Sequence, residues 1–452
     1  MNKHIIPVII ILLLSASLVS GINIETNVKS IDGNHPPIVI DGNDEFTYEN
    51  GITGGSGTIG DPYIIEDWII VNDSSTKNGI LINNTDVYFF IRNCTICNFT
   101  DKYEAGIRLE YVENGRIENT ISIRCQIAIR IRYSAYIDIF NCTSDDYSTV
   151  WFAGGVNAYY SSYINISSCE FYGKGTGIDL YETSYSVIDN TSCHHNSYYG
   201  IEINGRYCKY KYNTIKDCEI YNNDNQGIRL SADTDRWHSA YTKVLRCKIY
   251  ENGVQPDSSF GEAGIKVVKN HKNIIEDCNI YNNGEGISID ASRGNIIHNC
   301  RIYGHFKDTG FIAEGIVITR DYIGPLIMKK NKIINCEIYD NEMGIFTYRT
   351  LGVSIEHNNI SNNSYLGVVS MGSLMTNVNY NNIIDNGGFK VVLDCGGVCS
   401  RVSYINARNN WWGSPLGPSR LLPLRGDYIK TILGICTSIP WSKEPIPDAG
   451  MQ

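Results

Sequence analysis

Cys218-Glu219-Ile220-Tyr221-Asn222-Asn223-Asp224-Asn225-Gln226-Gly227-Ile228-Arg229-Leu230 decides the fold, because both of its halves recur along the chain. The first half, of the form Cys-x-Ile-Tyr, puts cysteine at one phase: Cys94, Cys142, Cys169, Cys193, Cys218, Cys247, Cys278, Cys300 and Cys336. Glu66, Asn119, Asn358, Asn381 and Asn409 fill that phase elsewhere, so the register runs from residue 66 to residue 409 with gaps of 22 to 36 residues. A unit this short cannot bury its own apolar face, and a fixed period means that neighbours bury each other by stacking. The second half, Gly-Ile-x-Ile, recurs at 177–180, 200–203, 227–230 and 286–289. Its period of two is that of a strand. Helical spacing is absent between residues 60 and 410, where Asn, Gly, Tyr and Ile favour short strands and tight turns.

These patterns predict an all-β chain, a right-handed single-stranded parallel β-helix solenoid of about 13 coils with three short strands per coil. At the ~4.8 Å spacing of adjacent strands the stack would be about 60 Å long. Residues 1–21 read as a signal peptide, residues 22–37 as a polar linker, 38–65 as an N-terminal cap, 66–415 as the solenoid and 416–452 as a C-terminal cap or tail. No second hydrophobic segment follows, so the mature chain is predicted to have no membrane span, to lie secreted or at the cell surface, and to be a monomer.

The stretch from Gly54-Gly55-Ser56-Gly57 to Asp61-Pro62-Tyr63-Ile64-Ile65, the repeated Ile-Tyr-x-Asn and Gly-Ile-x-Ile units, and the closing Asn410-Trp411-Trp412-Gly413 resemble known proteins. They are similar to secreted archaeal and bacterial β-helix proteins, the NosD-like members of the pectin-lyase-like superfamily. The resemblance covers about residues 38–415 and implies the fold. For activity it implies a range that includes polysaccharide lyases, hydrolases, epimerases, glycan-binding modules and copper-handling accessory proteins.

A net charge of −10 and the lack of a basic stripe argue against nucleic acid as a partner. The chain has 31 tyrosines and 12 phenylalanines; Tyr221, Tyr250, Tyr281, Tyr303 and Tyr339 share one phase and read as a structural stack along an edge. Fifteen cysteines would ordinarily suggest a disulfide framework. Equivalent positions on successive coils point the same way, however, which predicts a column of internal thiols, with Cys395 and Cys399 as the one disulfide. The histidines are scattered apart from His194-His195, so no metal site is predicted from spacing.

In Gly-Ile-x-Ile the x residue points outward, and stacking sets each above its equivalent. The outward row reads Arg108, Arg130, Asn157, Asp179, Glu202, Arg229, Lys266, Ser288, Val317, Phe346, with a second row two residues on that includes Tyr159, Ser231, Asp290 and Thr319. Asp179 and Glu202 on adjacent coils, followed by Arg229 and Lys266, are the candidate catalytic group. Paired carboxylates suit general acid/base work, or a Ca²⁺ ion held by oxygen ligands, and the cations suit an acidic sugar. Inserted loops at 232–241, 254–262, 305–313 and 321–330 are predicted to wall this face with aromatics, His305 among them. Trp237, His238, Tyr241 and Tyr322 on the walls, with Ser288 and Asp290 on the floor, are the candidate substrate-binding residues. The expected function is recognition of an extracellular polysaccharide or surface glycan along one face. The alternatives are a polysaccharide lyase or glycoside hydrolase, and copper handling in the NosD manner.

Overall fold

The computed structural model describes residues 33–145, 152–206, 211–232, 238–254, 262–305, 312–320, 330–387, 403–418, 427 and 434–452. Coil after coil contributes one strand to each of three parallel sheets, which builds the right-handed solenoid. In the coil that begins at Thr176, sheet I takes Thr176–Tyr181, sheet II takes Val187–Asp189 and sheet III takes Ser192–His194. Among the described residues sheet III holds 14 strands, the first of which, Asn34–His35, precedes the first rung read from the sequence, and the stack amounts to about 11 turns, slightly fewer than the 13 expected. Among the described residues no helix is long and apolar enough to cross a membrane.

Alternation explains which residues face inward. Ile178, Ile201, Ile228, Ile265, Ile287 and Ile316 are register partners on successive sheet I strands, and all are fully buried. The glycine before each isoleucine is there because the corner is crowded. A Cβ at Gly177 would sit 2.6 Å from the Gly200 carbonyl, and one at Gly227 would sit 2.7 Å from that of Gly264. The chain leaves sheet II through a left-handed residue, with φ between 44° and 56° at Asn190, Asp217, Arg246, Asp277, Asn299 and Asn335. Asparagine and aspartate tolerate that region best among residues with a side chain, which accounts for their abundance at these corners.

Two internal columns replace what disulfides would otherwise supply. At the corner between sheets II and III, Cys218, Cys247, Cys278, Cys300 and Cys336 stack as free, buried thiols, and every described cysteine is free. Each thiol reaches the carbonyl two residues back and one in the preceding coil, as Cys278 does to Glu276 at 3.2 Å and to Val244 at 3.6 Å. Asn358 and Asn381 continue the column and donate from Nδ2 to the equivalent carbonyls at 2.9–3.0 Å. Between sheets III and I, Asn196, Asn223, Asn252 and Asn283 form a second column: the backbone N–H and side-chain amide of each of the first three donate toward the Oδ1 of the next, while Asn283 gives its backbone N–H to His305 Nδ1 at 3.1 Å and its amide to the Ile249 and Tyr281 carbonyls.

The register corrects the phase at four rungs. Cys193 lies inside a sheet III strand, paired with Phe171 and Ile220, while Thr191 holds the thiol position of that coil. Likewise Trp68, Thr120 and Asn410, not Glu66, Asn119 and Asn409, precede the sheet III residues that align with Thr95, Thr143 and Asn382. At Asn119 and Asn409 the cause is the left-handed corner residue, which sits one position before the inward one; Glu66 ends the sheet II strand before its corner residue Asp67, and Cys193 is the next inward position of the strand after Thr191.

At the N-terminal end, Phe46 and Ile52 cover the first coil, the Phe46 ring 4.7 Å from Tyr63 and 6.0 Å from Phe89. Asn34–His35, at the end of the segment read as a linker, already pairs with Ile69–Ile70. At the other end Trp412 is buried and Gly434–Thr437 pairs with Ser403–Asn406. The final residues then turn back as a strap along the corner of sheets II and III. Ser442 N–H donates to Asn410 O, Ile446 exchanges two hydrogen bonds with the Asn382 side chain, Asp448 lies 3.2 Å from His357 and Gln452 N–H meets Asn299 Oδ1 at 2.9 Å. The proposed signal peptide, residues 1–21, and the proposed Cys395–Cys399 disulfide lie outside the described residues.

Candidate functional site

Sheet I carries the outward row in the order read from the sequence. Arg108 pairs with Arg130, Arg130 with Asn157, Asn157 with Asp179, Asp179 with Glu202, Glu202 with Arg229, Arg229 with Lys266 and Lys266 with Ser288. The four candidate catalytic residues are therefore consecutive on one face.

Hydrogen bonds tie the middle of this row together. Tyr159, from the second row, donates its hydroxyl to Asp179 Oδ2 at 2.8 Å and accepts from Asn157 Nδ2 at 3.4 Å. Burial first, then the Asp179 charge, push the Tyr159 phenol well above its ordinary value, so it stays protonated and acts as a donor. Glu202 faces Arg229, Nε to Oε1 at 3.3 Å, and both side chains are only partly exposed. The Arg229 guanidinium also lies 5.3 Å from the Tyr199 ring centroid and donates to Gln226 Oε1 at 3.4 Å. Each carboxylate is thus engaged by a donor of its own, Asp179 by a phenol and Glu202 by a guanidinium. That arrangement fixes the side chains.

Farther along, Ser288 is buried, and Asp290 accepts from Thr319 Oγ1 at 2.6 Å and pairs with Arg320. Burial alone would raise the Asp290 carboxyl, but the Arg320 and Thr319 bonds outweigh it and hold it below the ordinary carboxylate range, with help from the Lys266 charge. Tyr241 belongs to the corner between sheets I and II. It stacks on Tyr212 at 5.2 Å and takes a hydrogen bond from Lys272 Nζ at 3.1 Å. Residues 238–239 pair with Asn270–His271 through the backbone, while the His238 side chain, Trp237 and Tyr322 lie outside the described residues. His305 does not line a wall. It is buried in the asparagine column, because residues 302–305 repeat the phase of 280–283.

Tyr221, Tyr250, Tyr281, Tyr303 and Tyr339 do stack along sheet III, at centroid distances of 4.9–5.2 Å and within 10° of parallel. Rings packed face to face present only edges to solvent, so this column stabilises the edge and offers no platform for a sugar. His194 joins the column between Tyr172 and Tyr221, its Nδ1 2.8 Å from that of His195 and its Nε2 3.1 Å from Glu170. Among the described residues no group of three or more His, Cys, Asp or Glu side chains could hold a metal ion.

One feature of the face was not visible in the motifs. Just before the sheet I strands that start at Ala105 and Gly154, Tyr103 and Phe152 approach each other at 5.7 Å, with Lys102 Nζ 4.9 Å and 5.4 Å from their ring centroids. The Tyr103 ring stands beside Arg130, whose guanidinium lies 5.6 Å from its centroid.

The three-sheet solenoid with one open polar face defines a class. Residues 78–236 and 211–334 match the family described as "Right handed beta helix region", and the chain belongs to that family. No curated protein matches it significantly. Among solved structures it is similar to a mutant of the periplasmic alginate epimerase AlgG, with 14% identity, a TM-score of 0.49, and 83% of this chain and 82% of that one covered. It is also similar to pectate lyase Pel9A, with 13% identity, a TM-score of 0.37 and coverage of 91% and 79%. A tailspike protein of Escherichia coli O157:H7 bacteriophage CAB120 matches with 12% identity, a TM-score of 0.42 and coverage of 70% and 42%.

Proposed function

We propose that sheet I binds an extended polysaccharide laid along the solenoid axis, in a protein that works outside the cytoplasm. The observation that carries this reading is the unbroken outward row from Asp179 through Glu202 and Arg229 to Lys266, one charged side chain per rung, braced by Tyr159 and Tyr199. Its rise of ~4.8 Å per rung gives a chain of sugars a regular series of donors and acceptors. Pre-formed hydrogen bonds hold these groups in place before a ligand arrives, which lowers the entropic cost of binding. Asp179 and Glu202, already engaged by Tyr159 and Arg229, serve as acceptors for sugar hydroxyls and not as an acid and base.

A glycan array read together with a reducing-end release assay tests this directly. The expected result is retention of one glycan class without release, and a Glu202→Gln, Arg229→Gln double variant that folds but binds about tenfold more weakly. Release of sugar by the parent, lost on Asp179→Ala or Glu202→Ala, would replace binding with polysaccharide cleavage. Stoichiometric copper in the purified protein, with no glycan retained, would overturn the reading altogether.

A further inference from the structure

The third and fourth strands of sheet I hold a charge arrangement that the fold does not itself require. Arg108 and Arg130 are register partners, so two outward guanidinium side chains stand one above the other about 4.8 Å apart at the backbone. Glu110 answers Arg108, with Nε at 3.1 Å, and also Arg132, with NH1 at 3.2 Å. Arg130 has no carboxylate partner among the described residues. Its NH1 donates to the Tyr103 carbonyl at 3.3 Å, and its Nε is buried without a hydrogen bond there. Burial, followed by the neighbouring Arg108 charge, pulls the Arg130 guanidinium below its ordinary value. Like charges set side by side on paired strands are destabilising, and an anion between them would relieve the repulsion. The Tyr103 ring is half exposed, and Lys102 completes a cationic rim over it and Phe152.

We propose that Arg108, Arg130 and Lys102, with the Tyr103 ring beside them, form a subsite for the acid group of an anionic sugar at the N-terminal end of the sheet I face. The acid is a carboxylate or a sulfate ester. A guanidinium binds either through paired N–H donors, while an aromatic ring beside it takes the apolar face of a pyranose. This deepens the sheet I reading, since the same chain would run on to the Asp179–Arg229 row. It adds selectivity for acid sugars that the row alone does not provide.

The test uses the full chain and Arg130→Gln, with circular dichroism to verify the fold of the variant. Calorimetry compares a uronic tetrasaccharide, a sulfated tetrasaccharide and the carboxyl-reduced neutral counterpart of the first. The parent should bind one acidic form about tenfold more tightly than the neutral one, and Arg130→Gln should erase that preference while keeping neutral binding. A preference that survives Arg130→Gln overturns the subsite and leaves the sheet I reading intact. If the parent binds none of the sugars, inorganic sulfate decides the matter. A rise in melting temperature over sodium chloride of equal ionic strength, present in the parent and absent in Arg130→Gln, supports the bay as an anion site, and an equal response in both overturns it.

Discussion

His305 sits where asparagine sits in neighbouring coils, and it does the same work with a titratable ring. Its Nδ1 accepts the Asn283 backbone N–H at 3.1 Å, and the His305 backbone N–H donates to Asn341 Oδ1 at 3.2 Å. Burial pushes the imidazole down to about 4 from 6.5, so the folded state refuses a proton that the unfolded chain accepts. The sign follows. Stability is fully present above the unfolded value near 6.5 and falls as the pH drops toward 4, by roughly 3 kcal/mol in total. Asparagine cannot titrate, so the stability of the parent relative to His305→Asn should decline by about that amount between pH 7 and pH 4. Urea titrations at the two pH values measure it, and parallel curves for parent and variant would sink the assignment. The residue was misread as a loop wall because an insertion follows it. The phase of Ile302-Tyr303-Gly304-His305 against Ile280-Tyr281-Asn282-Asn283 carried the signal, and an inward position is set by that phase, not by the loop beyond it.

The thiol column shows how one element can be built from different residues that meet one demand. The backbone carbonyls at the corner of sheets II and III need a donor, which cysteine supplies weakly and asparagine more strongly. Cys336 lies 3.3 Å from Ile334 O and 3.8 Å from Ile297 O, and its neighbour Asn358 donates to the corresponding carbonyls at 3.0 Å. Cys336→Asn should therefore change stability by no more than about 1 kcal/mol, whereas Cys336→Ala, which leaves a cavity and no donor, should cost about 2 kcal/mol. Equal losses in denaturant titration would show that the column is only filler. The same element marks the limit of the sequence reading. Cys-x-Ile-Tyr gave the period and the sheet, but the left-handed residue that precedes the inward one shifted Asn119 and Asn409 by one position, and Glu66 and Cys193 lie in the flanking strands, two positions from the inward residue. The sheet I rows were legible because Gly-Ile-x-Ile alternates strictly. Lys102, Tyr103 and Phe152 were not, because a loop has no period from which to tell where a side chain points.

At the scale of the molecule, the solenoid behaves as a stack of units whose stability is the sum of local terms and neighbour contacts, so its ends are the first parts to open. The C-terminal strap ties its last residues to earlier rungs through Asn382, His357 and Asn299. Removal of residues 444–452 should speed amide exchange in the coils between Met343 and Ile384 by about tenfold, while exchange in the coils between Thr176 and Ser231 stays unchanged. Uniform exchange along the whole stack after truncation would mean that the strap carries no load.

The strap also sets how the protein answers tension. A pull on Gln452 first meets Asn299, deep in the stack, and must then undo the contacts at His357, Asn382 and Asn410 in turn before the final coil is strained. About ten residues of extended chain, on the order of 30 Å, pay out during that sequence. Under mechanical pull the tail acts as a sacrificial tether, which yields by steps and spares the coils that carry the polar face.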